Sequence, residues 1–304
     1  MPWAASNSIP QEALQAIIND FALGQFEQAT WAGGYSNQNY FVTTTTGDFL
    51  VKFLLNERVE INKEFVYLER LQQHHYPAAY YLKAPNGSYL WEGHERRAVL
   101  EKRLAGQPPT RQDNVCWLIG AQLARLHALP YAGLPATRNV LSREYLTHGM
   151  ALAQQSFDRE LLVPLIDAYE QIAQLPYEQL PYGIQHGDPT RNNCLFAQET
   201  FVALLDWEEV GTGPVLIDMA VAILSCCYRY QGAGNAVREE RWYRSFLSGY
   251  TSQRPLTALE EKYLPLASRY AALVFSLWGL LQFGLYYPDQ KLLQGWLHPA
   301  IQVL

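Results

Sequence analysis

Three oxygen-bearing side chains share one short window: Asp188, Asn193 five residues on, and Asp206 eighteen residues after Asp188. They sit in the string GIQHGDPTRNNCLFAQETFVALLDWEEVGTGPVLIDMA. Phosphoryl transfer needs a carboxylate to orient the attacking hydroxyl and accept its proton. It also needs hard oxygen ligands for Mg²⁺. A loop followed by a short hairpin brings all three residues to one rim. This predicts Asp188 as the catalytic base, with Asn193 and Asp206 as metal ligands. A polar loop with an Asx turn and a helix cap explains one such Asp, but not all three in this frame. His186 is expected to hold the loop through backbone carbonyls. Asp218, opening an apolar run, is expected to brace the loop or cap a helix.

A kinase also needs groups that hold transferable phosphates. Gly33 and Gly34 precede a strand-like run, where backbone N–H groups can approach phosphate oxygens. An ordinary strand-connecting turn is the plain alternative. Lys52 lies inside the apolar run FLVKFL, where an ammonium needs a partner or a ligand. Glu64, twelve residues later on a helix-like segment, is the expected partner, and helical register also admits Glu60. The run from Val99 to Leu104 reads as a strand entering a hinge, where backbone groups would meet a nucleobase and side chains would matter little. Arg191 is a candidate for an acceptor carboxylate or phosphate. Glu208 and Glu209 are candidates for an acceptor cation, or else a solvent-facing turn. Tyr228, Tyr243, Trp278, Tyr286, Tyr287 and Trp296 offer material for an aromatic cage, or simply fill a helical core.

The elements that must position these groups follow from periodicity. Residues 11–22 and 60–72 carry apolar side chains at helical spacing. Between them lie two strands joined at Gly47-Asp48. Residues 80–104 alternate apolar runs with turns. A break at Ala105-Gly106-Gln107-Pro108-Pro109 marks a boundary, giving an N-terminal nucleotide-binding lobe over 1–105 and a C-terminal catalytic and substrate-binding lobe over 106–304. The second lobe reads as mainly helical (113–128, 156–175, several segments after 214), apart from two short strands at 193–196 and 201–205. The fold class expected is α+β: a small antiparallel-sheet lobe with one main helix, and a larger, mainly helical lobe.

The chain has 304 residues, 49% of them hydrophobic, and a net charge of −6. That supports sizeable cores and offers no basic footprint for nucleic acid. The four cysteines form no CxxC pair, which fits buried thiols in a reducing compartment and a cytoplasmic address. No basic segment followed by an apolar run opens the sequence, so no signal peptide is expected. The apolar stretch from Ala271 to Leu281 is too short to span a membrane, and no membrane partner is expected.

On the HGDPTRNN and LLDWEE segments, the chain resembles the aminoglycoside phosphotransferase and choline kinase superfamily, from about Gly33 to about Leu224. The resemblance implies a two-lobed, protein-kinase-like fold, ATP or GTP with Mg²⁺, and a small hydroxyl-bearing substrate. It also implies the roles given above for Lys52, Glu64, Asp188, Asn193 and Asp206. NQNYFVTTTTGDFLVKFL and GTGPVLIDMAVAI are similar to bacterial homoserine kinases of this fold. Trp207-Glu208 departs from that subfamily and looks more like choline or thiamine kinases. The function expected is transfer of the γ-phosphate to a small amine-bearing alcohol, homoserine ahead of choline or ethanolamine, with thiamine, aminoglycosides or a non-catalytic nucleotide-binding regulator as alternatives. An acid hydrolase using two carboxylates would leave Lys52 and the glycine pair without a task.

Overall fold

The computed structural model describes residues 9–34, 37–55, 61–136, 139–231 and 235–301. The chain forms two compact units, Met1–Ala105 and Gly106–Leu304.

In the first unit, helix α1 (Gln11–Asp20) precedes strands β1 (Phe26–Gly33), β2 (Asn37–Thr44) and β3 (Gly47–Leu54). Helix α2 (Ile61–Gln73) and strands β4 (Trp91–Gly93) and β5 (Arg96–Lys102) follow. The sheet order is β1-β2-β3-β5-β4, antiparallel throughout. The pleat sends Phe49, Val51 and Phe53 of β3 to one side and Lys52 to the other. Val51 and Phe53 join Ala13, Leu14, Ile17 and Ile18 of α1 in a buried cluster. Two helices therefore serve this unit rather than one main helix: α1 fills that core, while α2 buries Glu64, Tyr67, Leu68 and Leu71. The turn at His94-Glu95 has positive φ at both residues, the hairpin geometry that suits strand twist.

The second unit contains α3 (Asp113–His127), α4 (Arg143–Ser156), α5 (Arg159–Ile172), β6 (Tyr182–Gln185), β7 (Cys194–Ala197), β8 (Thr200–Leu204), β9 (Gly211–Pro214) and α6 (Val215–Cys227). The hairpin β10 (Tyr228–Gln231) and β11 (Asn235–Arg238) leads to α7 (Glu240–Gln253), α8 (Ala258–Leu280) and α9 (Gln290–Ile301). α6 is apolar around its circumference and almost wholly buried, as a central helix must be. α3 and α7 cross closely because a Cβ at Gly120 would run into Phe246 O, and one at Gly249 into Trp117 O. GTGP, despite its turn-forming Gly and Pro, pairs with β6 as β9.

α8 continues through a π-helical turn, Leu281–Tyr286. The sequence suggested only a short apolar stretch here. The combined helix Ala258–Tyr286 is long and apolar enough to cross a membrane by length and composition, and 67% of its most apolar window is buried inside the protein. Glu260 and Arg269 had interrupted the apolar run without interrupting the helix. Its N-terminus is fixed by a capping box between Thr257 and Glu260.

Candidate active site

The loop between β6 and β7 holds Asp188 and Asn193. Gly187 adopts φ +89°, and a Cβ there would strike Glu209 O, so glycine is required. His186 ties the loop to the next hairpin. Its Nε2 lies 2.9 Å from Leu205 O and its Nδ1 accepts the Asp188 amide at 3.2 Å. That geometry places the ring proton on Nε2. The ring packs against buried Trp207, centroids 4.5 Å apart. Leu205 N donates to Asn193 O at 2.8 Å. The residue before Asp206 is thus bonded twice to the Asp188 loop. Asp206 itself takes φ +65°, a left-handed conformation that Asp tolerates better than most residues.

Asn193 Nδ2 donates to Asp188 Oδ2 at 2.8 Å and to Asp188 O at 2.9 Å. Asp188 is half-buried as a residue, but its Oδ1 is covered and accepts no hydrogen bond from the protein. Burial, and then the charge of Asp206, hold the Asp188 carboxyl well above the usual carboxylate range. The structure thus brings Asp188, Asn193 and Asp206 together. Orienting Nδ2 toward Asp188 leaves the Asn193 Oδ1 as that amide's acceptor end.

Asp218 braces the same loop. Its Oδ2 accepts His186 N at 2.9 Å and its Oδ1 accepts Gly187 N at 2.9 Å. Arg191 N donates to Ser225 Oγ at 2.8 Å, and its guanidinium bonds to Pro109 O and Asn192 Oδ1. Arg191, a candidate for an acceptor carboxylate or phosphate, here fastens the loop to the segment after Gly106. Glu209 Oε2 accepts Val140 N at 3.1 Å, so Glu209 does more than face solvent. Glu208 is half-buried beside it. The Tyr145 phenol is pushed up by burial, then by the charge of Glu209, then by Tyr286.

The side chains of five of the six aromatic residues that offered a cage or a core filling are described. Tyr228 stacks on Tyr230 in the β10–β11 hairpin, and Arg238 lies over Tyr243. Trp278 packs on Phe283. Tyr286 and Tyr287 are exposed. The side chain of Trp296 lies outside the described residues.

In the first unit, Gly33 closes β1 and Gly34 follows it, with φ +96° and +131°. A Cβ at Gly33 would meet nothing within 4 Å, whereas one at Gly34 would strike Asn37 O. Lys52 Nζ lies 3.0 Å from Glu101 Oε1, and both side chains are nearly inaccessible. This corrects the reading of the Val99–Leu104 run as one whose side chains matter little: the pleat aims Glu101 at Lys52. Glu64, the expected partner, is buried and accepts the Tyr81 hydroxyl at 2.6 Å. Glu60 lies outside the described residues. Asn39 stands opposite Lys52 in register, and its buried Oδ1 accepts no hydrogen bond from the protein. Glu101, Asn39 and Tyr145 were not site candidates from sequence. A signal existed for Glu101, an acidic residue inside an apolar strand.

Comparison with known proteins accords with this geometry. A model of the phosphotransferase enzyme family matches residues 28–256. A homoserine kinase of Pseudomonas aeruginosa (strain LESB58) is 30% identical over 289 residues, covering 90% of this chain and 87% of the relative. Among solved structures, an amicoumacin kinase in complex with AMP-PNP, Ca²⁺ and Ami superimposes with a TM-score of 0.76 at 14% identity, covering 97% of this chain and 93% of that one. A microcompartment-associated aminopropanol kinase gives 0.73 at 16% identity, with 97% and 95% covered. These likenesses establish the kinase-like α+β fold expected from sequence. The chain belongs to the phosphotransferase enzyme family, as a small-molecule phosphotransferase.

Proposed function

We propose that this protein transfers the γ-phosphoryl group of ATP to the hydroxyl of a small amine-bearing alcohol, homoserine first among them. The observation that carries the proposal is the Asp188 carboxyl, held by Asn193 on Oδ2 and without a protein donor on Oδ1, with Asp206 alongside. The acceptor hydroxyl oxygen attacks the γ-phosphorus, the bond to the bridging oxygen breaks, and ADP leaves. The hydroxyl proton goes to Asp188 Oδ1. A carboxyl whose affinity for protons is raised by its surroundings is a better base once ionised.

The Asp206 carboxylate and the Asn193 Oδ1 would hold Mg²⁺, since both are hard oxygen donors. Among the described residues no group of three His, Cys, Asp or Glu side chains forms a metal cluster, so a softer metal has no rival site there. When bound, Mg²⁺ supplies neutralisation of charge on the phosphate oxygens. Lys52, with Glu101 and Glu64 in the same unit, would grip phosphates. Gly33 and Gly34 would offer backbone amides. Glu209, whose charge helps to raise the Asp188 carboxyl, would face the acceptor's ammonium.

Homoserine is favoured by the relative that matches nine-tenths of this chain. The aminopropanol kinase likeness keeps simple amino-alcohols as the second reading. A coupled ADP-release assay with Mg-ATP across homoserine, aminopropanol, choline, ethanolamine, thiamine and two aminoglycosides separates them. Saturable turnover on homoserine, lost in Asp188→Ala, is the expected result. Efficient turnover of another acceptor with none on homoserine would overturn the substrate. Nucleotide binding without turnover of any would overturn the reaction.

A further inference from the structure

The Asp218 carboxylate has a third bond that the proposed chemistry does not use. His127 Nε2, at the end of α3, lies 3.0 Å from Asp218 Oδ2. His127 Nδ1 lies 2.7 Å from the hydroxyl of Tyr250 on α7. Arg254 Nη1 is 3.3 Å from the same hydroxyl, and Arg254 Nη2 donates to Glu260 Oε1 at 2.9 Å. Glu260 Oε2 accepts the amide and the hydroxyl of Thr257, both at 2.9 Å. His127, Asp218, Tyr250 and Glu260 are all buried.

Donor and acceptor chemistry gives this chain one direction. An ionised carboxylate only accepts, so the bond from His127 requires the proton on Nε2. Burial holds the His127 imidazole below its usual range, in the neutral form. A neutral ring protonated on Nε2 has a lone pair on Nδ1, so Tyr250 must donate to it. The Tyr250 oxygen is then left to accept from Arg254, whose charge is matched by Glu260. From Arg254 through Tyr250 and His127 each donor points toward Asp218, which also accepts the amides of His186 and Gly187, while the other bond of Arg254 runs back to Glu260.

Packing holds the pieces in place independently of these bonds. Gly120 on α3 and Gly249 on α7 let the two helix backbones approach more closely than any Cβ would allow. Tyr250 follows Gly249 directly, and His127 lies two turns from Gly120 on the same side of α3. The crossing therefore sets the Tyr250 hydroxyl against the imidazole.

We infer that Tyr250, fixed by Arg254 and Glu260, is a positioning residue for phosphoryl transfer: its hydroxyl donates to Nδ1 of the Nε2–H tautomer that Asp218 selects, holds the His127 ring against Asp218, and so fixes the amides that carry Asp188. The inference rests on the proposed role of Asp188, but two of its three tests do not require turnover. Nitrogen-15 NMR of the wild-type protein should show His127 as one neutral imidazole protonated on Nε2. In Tyr250→Phe the proton should stay on Nε2, where Asp218 still accepts it, while the Nδ1 resonance should lose the shift of a hydrogen-bonded acceptor. Hydrogen exchange should quicken at His186 and Gly187 in the variant, with α8 unchanged. With whichever acceptor supports turnover, kcat should fall by about 10- to 100-fold, as for other residues that orient a reacting group through a partner. KM for nucleotide and acceptor should stay within about twofold, as expected when only transition-state interactions are lost. Arg254→Gln, which keeps the hydroxyl and removes one bond to it, should give the same pattern more weakly, and serves if Tyr250→Phe does not fold. A wild-type imidazole protonated on Nδ1, or a loop whose exchange and turnover are indifferent to both substitutions, would overturn the inference. Wild-type protein that turns over no acceptor would sink the proposed reaction alone, leaving the tautomer and exchange readouts to decide this one.

Discussion

Asp188 sits where a carboxylate is costly. Burial and the Asp206 charge favour its protonated form, and the Asn193 amide donates to its Oδ2. A carboxyl raised in the folded state keeps a proton that the unfolded chain releases. Its contribution to stability therefore falls as pH rises from the ordinary carboxylate range through the raised value. Without nucleotide or divalent cation, Asp188→Asn should stabilise the protein near neutral pH, by about 1 kcal/mol or ~2–4 °C in Tm. The gain should vanish in acid, where both states of the wild type are protonated. The same variant should lose about 100- to 10,000-fold in kcat, the usual share of a general base. A differential scanning comparison at two pH values checks the first part, and unchanged or lowered Tm at neutral pH would refute it. His127 works in the opposite direction. Its imidazole is depressed by burial, so stability is present above the unfolded-state value, about 6.5, and is lost as pH falls through the lower folded value. Asp188, Asn193 and Asp206 were legible in the sequence because a loop and one hairpin suffice to bring them together. Tyr250 and His127 lie 123 residues apart and meet only through a helix crossing. A lone His ending an apolar helix carried no sign of its partner.

Elements were legible where one face is buried and the other is not. α1, α2 and α3 announced themselves by apolar spacing, and β2 and β3 by a glycine turn between apolar runs. β1 did not, because FEQATWAG is largely exposed and owes its conformation to pairing with β2. β9 was hidden by its Gly and Pro content, and exists as a strand through β6. α4 buries Leu146, Gly149, Met150 and Ala153 at helical spacing, but a glycine in that set weakens both the propensity and the hydrophobic signal. The α3–α7 crossing shows what glycine does in such a set: at Gly120 and Gly249 the absent Cβ is the contact itself. Gly249→Ala should therefore force the helices apart at an overpacking cost of about 1–3 kcal/mol, despite alanine's better helix propensity. Denaturant titration checks it. A stabilised variant would mean that the helices have room to shift.

At the scale of the molecule, the candidate groups divide between the two compact units. Lys52, Glu64, Glu101 and the glycine pair belong to Met1–Ala105, and Asp188, Asn193, Asp206 and the buried relay belong to Gly106–Leu304. Each unit has its own core, so each set can be perturbed without dismantling the other. If the first unit grips nucleotide phosphates and the second performs the transfer, substitutions should separate by what they impair. Lys52→Met should weaken nucleotide binding measured by calorimetry, and should also destabilise the protein. It leaves Glu101 as a buried charge without its lysine, a loss of about 3–5 kcal/mol for pairs of this kind. Adding Glu101→Gln should recover most of that stability, because the stranded charge is gone, yet should not recover nucleotide affinity. Asp188→Ala should leave nucleotide affinity within about threefold while turnover collapses, since a base acts on the transition state rather than on bound nucleotide. The double variant is the discriminating measurement. If nucleotide affinity returns along with stability, Lys52 is a structural half of a buried ion pair and the phosphates are held by other groups. If stability returns and affinity does not, the lysine's charge is what the nucleotide meets.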